Sequence, residues 1–72
     1  MKDFIMVENH DGGYFDGQVM LNLRTVAMIG SKPYLNSSDC RNNCYPIGTI
    51  GGPTLFVSKE DLDRILAALE RL

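Results

Sequence analysis

The stretch from Ser58 to the C-terminus constrains this chain most. Leu62, Ile65, Leu66, Leu69 and Leu72 recur at the i, i+3, i+4, i+7 spacing of one helix face, while Glu60, Asp63, Arg64, Glu70 and Arg71 take the other faces. Ser58 stands where a hydroxyl can accept from the third helical N–H, and Asp61 occupies the acid position of a capping box, with Asp in place of the commoner Glu or Gln. The pattern predicts a helix from Lys59 to Arg71. A helix so short is marginal alone in water, so its stripe must be buried on the rest of the chain or on a neighbouring one.

Upstream, glycine and proline place the joints. Phe4-Ile5-Met6-Val7 reads as a short strand, and Asn9-His10-Asp11-Gly12-Gly13 as the turn after it. Val19, Leu21 and Leu23 alternate with polar or flexible residues in a period of two, which predicts a second strand. Asn22 to Thr25 interrupts that pattern. Val26-Ala27-Met28-Ile29 restarts it before Gly30 and Pro33 end it. Tyr45 to Ile50 and Thr54 to Val57 flank Gly51-Gly52-Pro53 and are expected to pair as a hairpin, because Pro53 lacks an N–H and suits a turn. The expected fold is α+β: one domain over residues 1–72, with a small antiparallel β-sheet of four or five strands and one C-terminal amphipathic helix. Seventy-two residues hide only about 60% of their unfolded surface, which leaves no room for a second core.

Charge and reactive groups narrow the function. Seven basic residues stand against nine acidic ones, a net charge of −2, so there is no polycationic field to hold nucleic acid or an anionic membrane. Neither is expected as a partner. Asp3, Glu8, His10 and Asp11 interrupt every early apolar run, so no secretory leader is expected, and no stretch approaches the roughly 20 apolar residues that span a bilayer. Cys40 and Cys44 are too few for the disulfide framework of a small secreted domain, and this cysteine usage points to a reducing cytoplasm.

With His10 and Asp39, the two thiols make the only constellation that resembles a metal site. Structural zinc wants two closely spaced ligand pairs, and only one exists. No metal or cofactor is expected. The thiols read as packed or idle, with a local disulfide on oxidation as the alternative. His10 is the sole imidazole that could activate a thiol, and it sits among turn formers. Gly48-Thr49-Ile50-Gly51-Gly52 has the glycine density of a phosphate cradle but no following Lys-Ser/Thr. The chain is therefore expected not to be an enzyme.

The segment from Lys32 to Cys44 is rich in Ser, Asn, Pro and Asp, and loops of this length in compact domains are usually functional. Residues 32 to 58 carry two basic residues and one acidic one. Arg24, Lys32, Tyr34, Arg41, Asn42, Asn43 and Tyr45 are the candidate binding residues: they offer cations, amides and aromatic faces to a protein partner or to an anionic small molecule. Leu62, Ile65, Leu66 and Leu69 are the candidate core or oligomer interface. With Met6, Met20 and Met28 they favour a homo-oligomer, most simply a dimer.

The order of elements resembles the small FlbD-type (SwrD-like) flagellar proteins and similar short phage and prophage proteins. The matching residues are Phe4 to Val7, Gly12-Gly13, Leu21-Asn22, Val26 with Ile29, and Ile47 to Val57 followed by Ser58-Lys59-Glu60-Asp61-Leu62. The resemblance implies a β-sheet plus helix and an accessory, non-enzymatic role. The leading expectation is a binding or regulatory protein, phage- or prophage-encoded, that acts on a host or viral protein through a sheet edge and the 32–44 loop. The alternative is an oligomer that sequesters an anionic, nucleotide-type signal in pockets formed by Arg24, Lys32, Arg41 and Tyr45.

Overall fold

A computed structural model describes residues 3–10, 13, 15–30, 32 and 44–72. Alternating side chains build β1 (Phe4–Asn9) and β2 (Gly17–Asn22), which pair antiparallel from Phe4↔Asn22 to Asn9↔Gly17 without a break. Val7, Val19 and Leu21 face the core, whereas Met6 and Met20, directly opposite each other, face outward. The backbone N–H of Leu23 donates to the carbonyl of Asp3 at 2.7 Å, which extends this ladder by one rung.

The break expected at Asn22 to Thr25 is a single 3-10 turn, Leu23–Thr25. Asn22 caps it by accepting the Arg24 N–H at 3.0 Å, and the Thr25 hydroxyl donates to the Asn22 carbonyl at 2.7 Å. The chain then enters β3 (Val26–Ile29), which pairs with β4 (Tyr45–Thr49), and β4 pairs with β5 (Leu55–Val57). The fold is α+β, with five strands divided between an antiparallel pair and an antiparallel triplet.

The two sheets meet at β1 and β5. The His10 N–H donates to the Phe56 carbonyl at 2.8 Å, and the Phe56 N–H donates to the Asn9 side-chain oxygen at 2.9 Å. A side chain thus takes the place of a backbone carbonyl where the sheets part. Asn9 is buried, and its amide donates to the Phe15 carbonyl at 3.0 Å, which ties the β1–β2 loop to the same point. Asn9 satisfies both ends of its amide, as a buried polar group must.

Pro46 lies inside β4, a central strand, where a missing N–H would normally break a ladder. Its carbonyl accepts from the Gly30 N–H at 2.8 Å, just past the last residue of β3, so the side of Pro46 without a donor faces the end of the neighbouring strand. Gly30 is required there: a Cβ would lie 2.5 Å from Cγ of Pro46.

The terminal helix, α1 (Lys59–Glu70), starts at Ser58, whose hydroxyl accepts from the Asp61 N–H at 3.2 Å. Arg71, expected as its last residue, is the cap that follows it. Only half of the capping box forms. The Asp61 carboxylate instead accepts the Glu8 N–H from β1 at 3.0 Å and pairs with Arg64 at 2.8 Å, so it pins the helix to the sheet.

Leu62 and Ile65 enter the core, with Ala68 and Leu69 against it. Leu66 is 44% exposed, so it does not join the core of this chain. The five-residue stripe covers a wider arc than β1, β5 and the 3-10 turn occupy, and Leu66 lies at the uncovered margin. The helix packs on its own chain, leaving Leu66 as its large apolar residue in solvent, with Leu72 exposed just beyond its end.

Candidate binding groove

β2 pairs only with β1 and β3 only with β4, so both are edge strands. Beside the free edge of β2 runs an open groove of about 270 Å³. Val19, Met20, Leu21 and Asn22 form one wall, and Thr49, Ile50, Gly52, Pro53 and Leu55 of the β4–β5 hairpin form the other, with Phe15 and Thr25 at the margins. The hairpin stands in this position for two local reasons. Gly51 takes φ +70°, a left-handed conformation that glycine adopts without steric cost. The Thr49 hydroxyl donates to the Pro53 carbonyl at 2.8 Å and locks the turn.

The groove's chemistry is set by what lines it. No acid, base, histidine or cysteine is among those residues. The hydroxyls of Thr25 and Thr49 are both engaged with backbone carbonyls. Apart from the Asn22 side chain, whose oxygen accepts the Arg24 N–H, what remains is apolar surface, prominently Ile50 (69% exposed) and Met20 (50% exposed). Such a surface can bind an uncharged group by excluding water, but it offers no nucleophile and no group to move a proton. Among the described residues no three of His, Cys, Asp and Glu are placed to hold a metal ion.

The residues singled out from the sequence lie elsewhere. Arg24 is on the 3-10 turn, and its guanidinium is paired with Asp3 at 3.1 Å. Tyr45 opens β4 opposite Val57. Because Val26 pairs with Thr49 and Ile29 with Ile47, Arg24 stands at the end of the β3–β4 ladder opposite to Tyr45 and Lys32, so one pocket does not join all three. Lys32 is exposed. Tyr34, Arg41, Asn42 and Asn43, with most of the 32–44 loop and residues 11, 12 and 14 of the first turn, lie outside the described residues.

Tyr45 has instead a neighbour the sequence did not suggest. Lys59, at the helix start, is held above the usual lysine pKa by its hydrogen bond and charge pairing with Asp63 at 2.9 Å, and Tyr45 adds a smaller push in the same direction.

Cys44 is fully buried at the entrance to β4 and is disulfide-bonded, a departure from the expectation of idle thiols. The only other cysteine, Cys40, lies outside the described residues.

The groove itself was not anticipated. In the sequence Met20 points to self-association, and Ile50, Gly52 and Pro53 to a hairpin, with nothing to bring the two together. The signal available was that β2 carries no charge on its outward face and that Ile50 is a large apolar residue beside a turn. Among the described residues no helix is long and apolar enough to cross a membrane. No family model, no curated protein and no solved structure matches the chain.

Proposed function

We propose that this chain is a non-catalytic binding protein that acts on another polypeptide through the groove beside β2. A single observation carries the reading: the groove is apolar, free of titratable side chains and bordered by an unpaired strand edge. A free edge offers backbone donors and acceptors to an extended segment, and an adjoining pocket gives such a segment a place for a side chain. At about 270 Å³ the groove falls below the roughly 300–1,000 Å³ of typical small-ligand sites. It suits one or two apolar side chains better than a nucleotide. The resemblance to FlbD-type and phage proteins implies an accessory, non-enzymatic role, and a host or viral protein is the partner class this reading takes.

The alternative of sequestering an anionic signal needs its basic residues in one place. Arg24, engaged with Asp3 and distant along the ladder from Lys32 and Tyr45, gives that alternative no support.

The test compares the wild-type chain with Ile50→Asp in capture from a lysate. Ile50 is largely exposed, so the variant should fold. A stoichiometric polypeptide retained by the wild type and lost by the variant is expected. Recovery of the same polypeptide by both proteins, or of none by either, would overturn the reading, as would a thermal shift with an anionic metabolite that Ile50→Asp leaves intact.

A further inference from the structure

Methionine is among the residues most often buried in a core, yet none of the described methionines belongs to this one. The core is built from Val, Leu and Ile with Cys44. Met6, Met20 and Met28 are all substantially exposed, and Met1 lies outside the described residues. Of the three, Met20 alone lines the groove. It is the only sulfur there, and no Cys, Trp, Tyr or His accompanies it, so it is the one lining side chain that a mild oxidant attacks.

We infer that Met20 is an oxidation switch for the groove: a peroxide converts its thioether to the sulfoxide, and the groove then releases apolar groups. The inference rests on the reading of the groove as an apolar binding surface and adds its regulation. In the forward step a sulfur lone pair attacks one peroxide oxygen and the O–O bond breaks. The other oxygen leaves with a proton as water, so sulfur is oxidised and the peroxide reduced. A sulfoxide reductase runs the change back: the added oxygen leaves as water while two thiols become a disulfide.

The position of Met20 separates regulation from damage. A sulfoxide inside a core disrupts its packing. At half-exposed Met20 water solvates the new oxygen, and the β1–β2 ladder, made of backbone atoms, is untouched. A bound apolar side chain would cover that oxygen. The Thr25 and Thr49 hydroxyls already donate to backbone carbonyls and cannot donate to it, so its burial carries the cost of an unpaired polar group. Oxidation therefore weakens binding without unfolding the chain. Met6 and Met28 lie outside the groove lining, and their oxidation leaves its chemistry as it was.

The double variant Met6→Leu/Met28→Leu isolates the site, and both positions are exposed enough to accept leucine. Tryptic cleavage after Lys2 and Arg24 separates Met1 from Met20, so mass spectrometry reads the sulfoxide at position 20 directly. Binding is read with N-phenyl-1-naphthylamine, an uncharged apolar dye, as the fluorescence that Ile50→Asp removes. Under hydrogen peroxide the dye signal of the double variant should fall in proportion to the Met20 sulfoxide, while circular dichroism stays native. Reductases for both sulfoxide epimers, with dithiothreitol, should restore it. A signal that survives full oxidation of Met20 overturns the switch, as does an oxidised chain that unfolds, a loss the reductases do not reverse, or a wild type whose dye signal does not depend on Ile50. Capture from a lysate keeps the two readings apart. A polypeptide held equally well before and after Met20 oxidation sinks the switch alone. An untreated chain that captures none sinks the protein-binding reading, and the dye still reports on Met20.

Discussion

The side-chain oxygen of Asn9 accepts the backbone N–H of Phe56 at 2.9 Å, and this bond stands where the two sheets would otherwise separate. Its amide nitrogen holds Phe15 at 3.0 Å, so one buried residue joins β1, β5 and the β1–β2 loop. Asn9→Ala removes both bonds at a site with no access to water. The expected loss is about 1–3 kcal/mol, the usual cost of breaking buried polar pairing, read as a lower urea midpoint. Asn9→Asp keeps the acceptor but loses the donor and buries a charge, so it should be the worse of the two at neutral pH and recover on acidification. Equal midpoints for the wild type and Asn9→Ala would show that the sheets hold together without it.

The helix offers an internal control. Ile65 is fully buried while Leu66, its neighbour, is nearly half exposed. Ile65→Ala should cost about 2–5 kcal/mol, as deletions from a packed core do, which is enough to unfold a domain whose core supplies only a few kcal/mol. Leu66→Ala should change the melting temperature little. Comparable losses from the two would mean that the stripe is buried on both sides.

That pair also marks how far the sequence could be read. Ser58 with Asp61, and the spacing of Leu62, Ile65 and Leu69, announce the helix because capping and periodicity are local. The break after Asn22 was visible for the same reason: Asn22 caps the turn two residues on. That Leu66 stays outside this chain's core was not legible, because periodicity gives the direction of an apolar face and not the width of the surface that will cover it. Asn9 looked like a turn former, since its partner lies 47 positions away. The groove was invisible because it exists only where residues 19–22 meet residues 49–55. The pairing of Arg24 with Asp3 was not legible either, because the two stand 21 positions apart.

Two glycines fail for different reasons when replaced. At Gly30 a Cβ would fall 2.5 and 2.7 Å from the ring carbons of Pro46, which cannot swing aside as a flexible chain end would. Gly30→Ala should cost about 1–3 kcal/mol and shift the amide resonances of Ile29 and Ile47, which face each other on that ladder. At Gly51 a Cβ meets nothing within 4 Å, but φ is +70°. Gly51→Ala should cost about 1–2 kcal/mol from the backbone alone, and Gly51→Asn less, because Asn tolerates the left-handed region. Unperturbed β3–β4 resonances in Gly30→Ala would refute the close approach.

The pairing of Lys59 with Asp63 fixes the sign of one pH effect. Its pKa is raised in the folded state, so the folded chain holds this proton more tightly than the unfolded one. The associated stability is present below the ordinary lysine value of 10.5 and is lost as pH rises through the higher folded value. The side chain is fully exposed, so the effect is small and salt-sensitive. Asp63→Asn should reduce the alkaline drop in melting temperature at low ionic strength. An identical drop in wild type and variant would assign it to other groups.

Asp61 is the tie between helix and sheet, and it can be separated from the cap it belongs to. Ser58 accepts the Asp61 N–H, a bond internal to the helix start, and Ser58→Ala should cost about 1 kcal/mol. The Asp61 carboxylate acts across the fold, on the Glu8 N–H of β1 and on Arg64. Asp61→Ala should therefore cost more, about 1.5–3 kcal/mol for hydrogen bonds to a charged group. Only that variant should accelerate hydrogen exchange at the Glu8 amide, because Ser58→Ala leaves the carboxylate in place. If Glu8 exchanges equally fast in both variants, the helix start reports only its own fraying, and the bond to β1 does not hold α1 on the sheet.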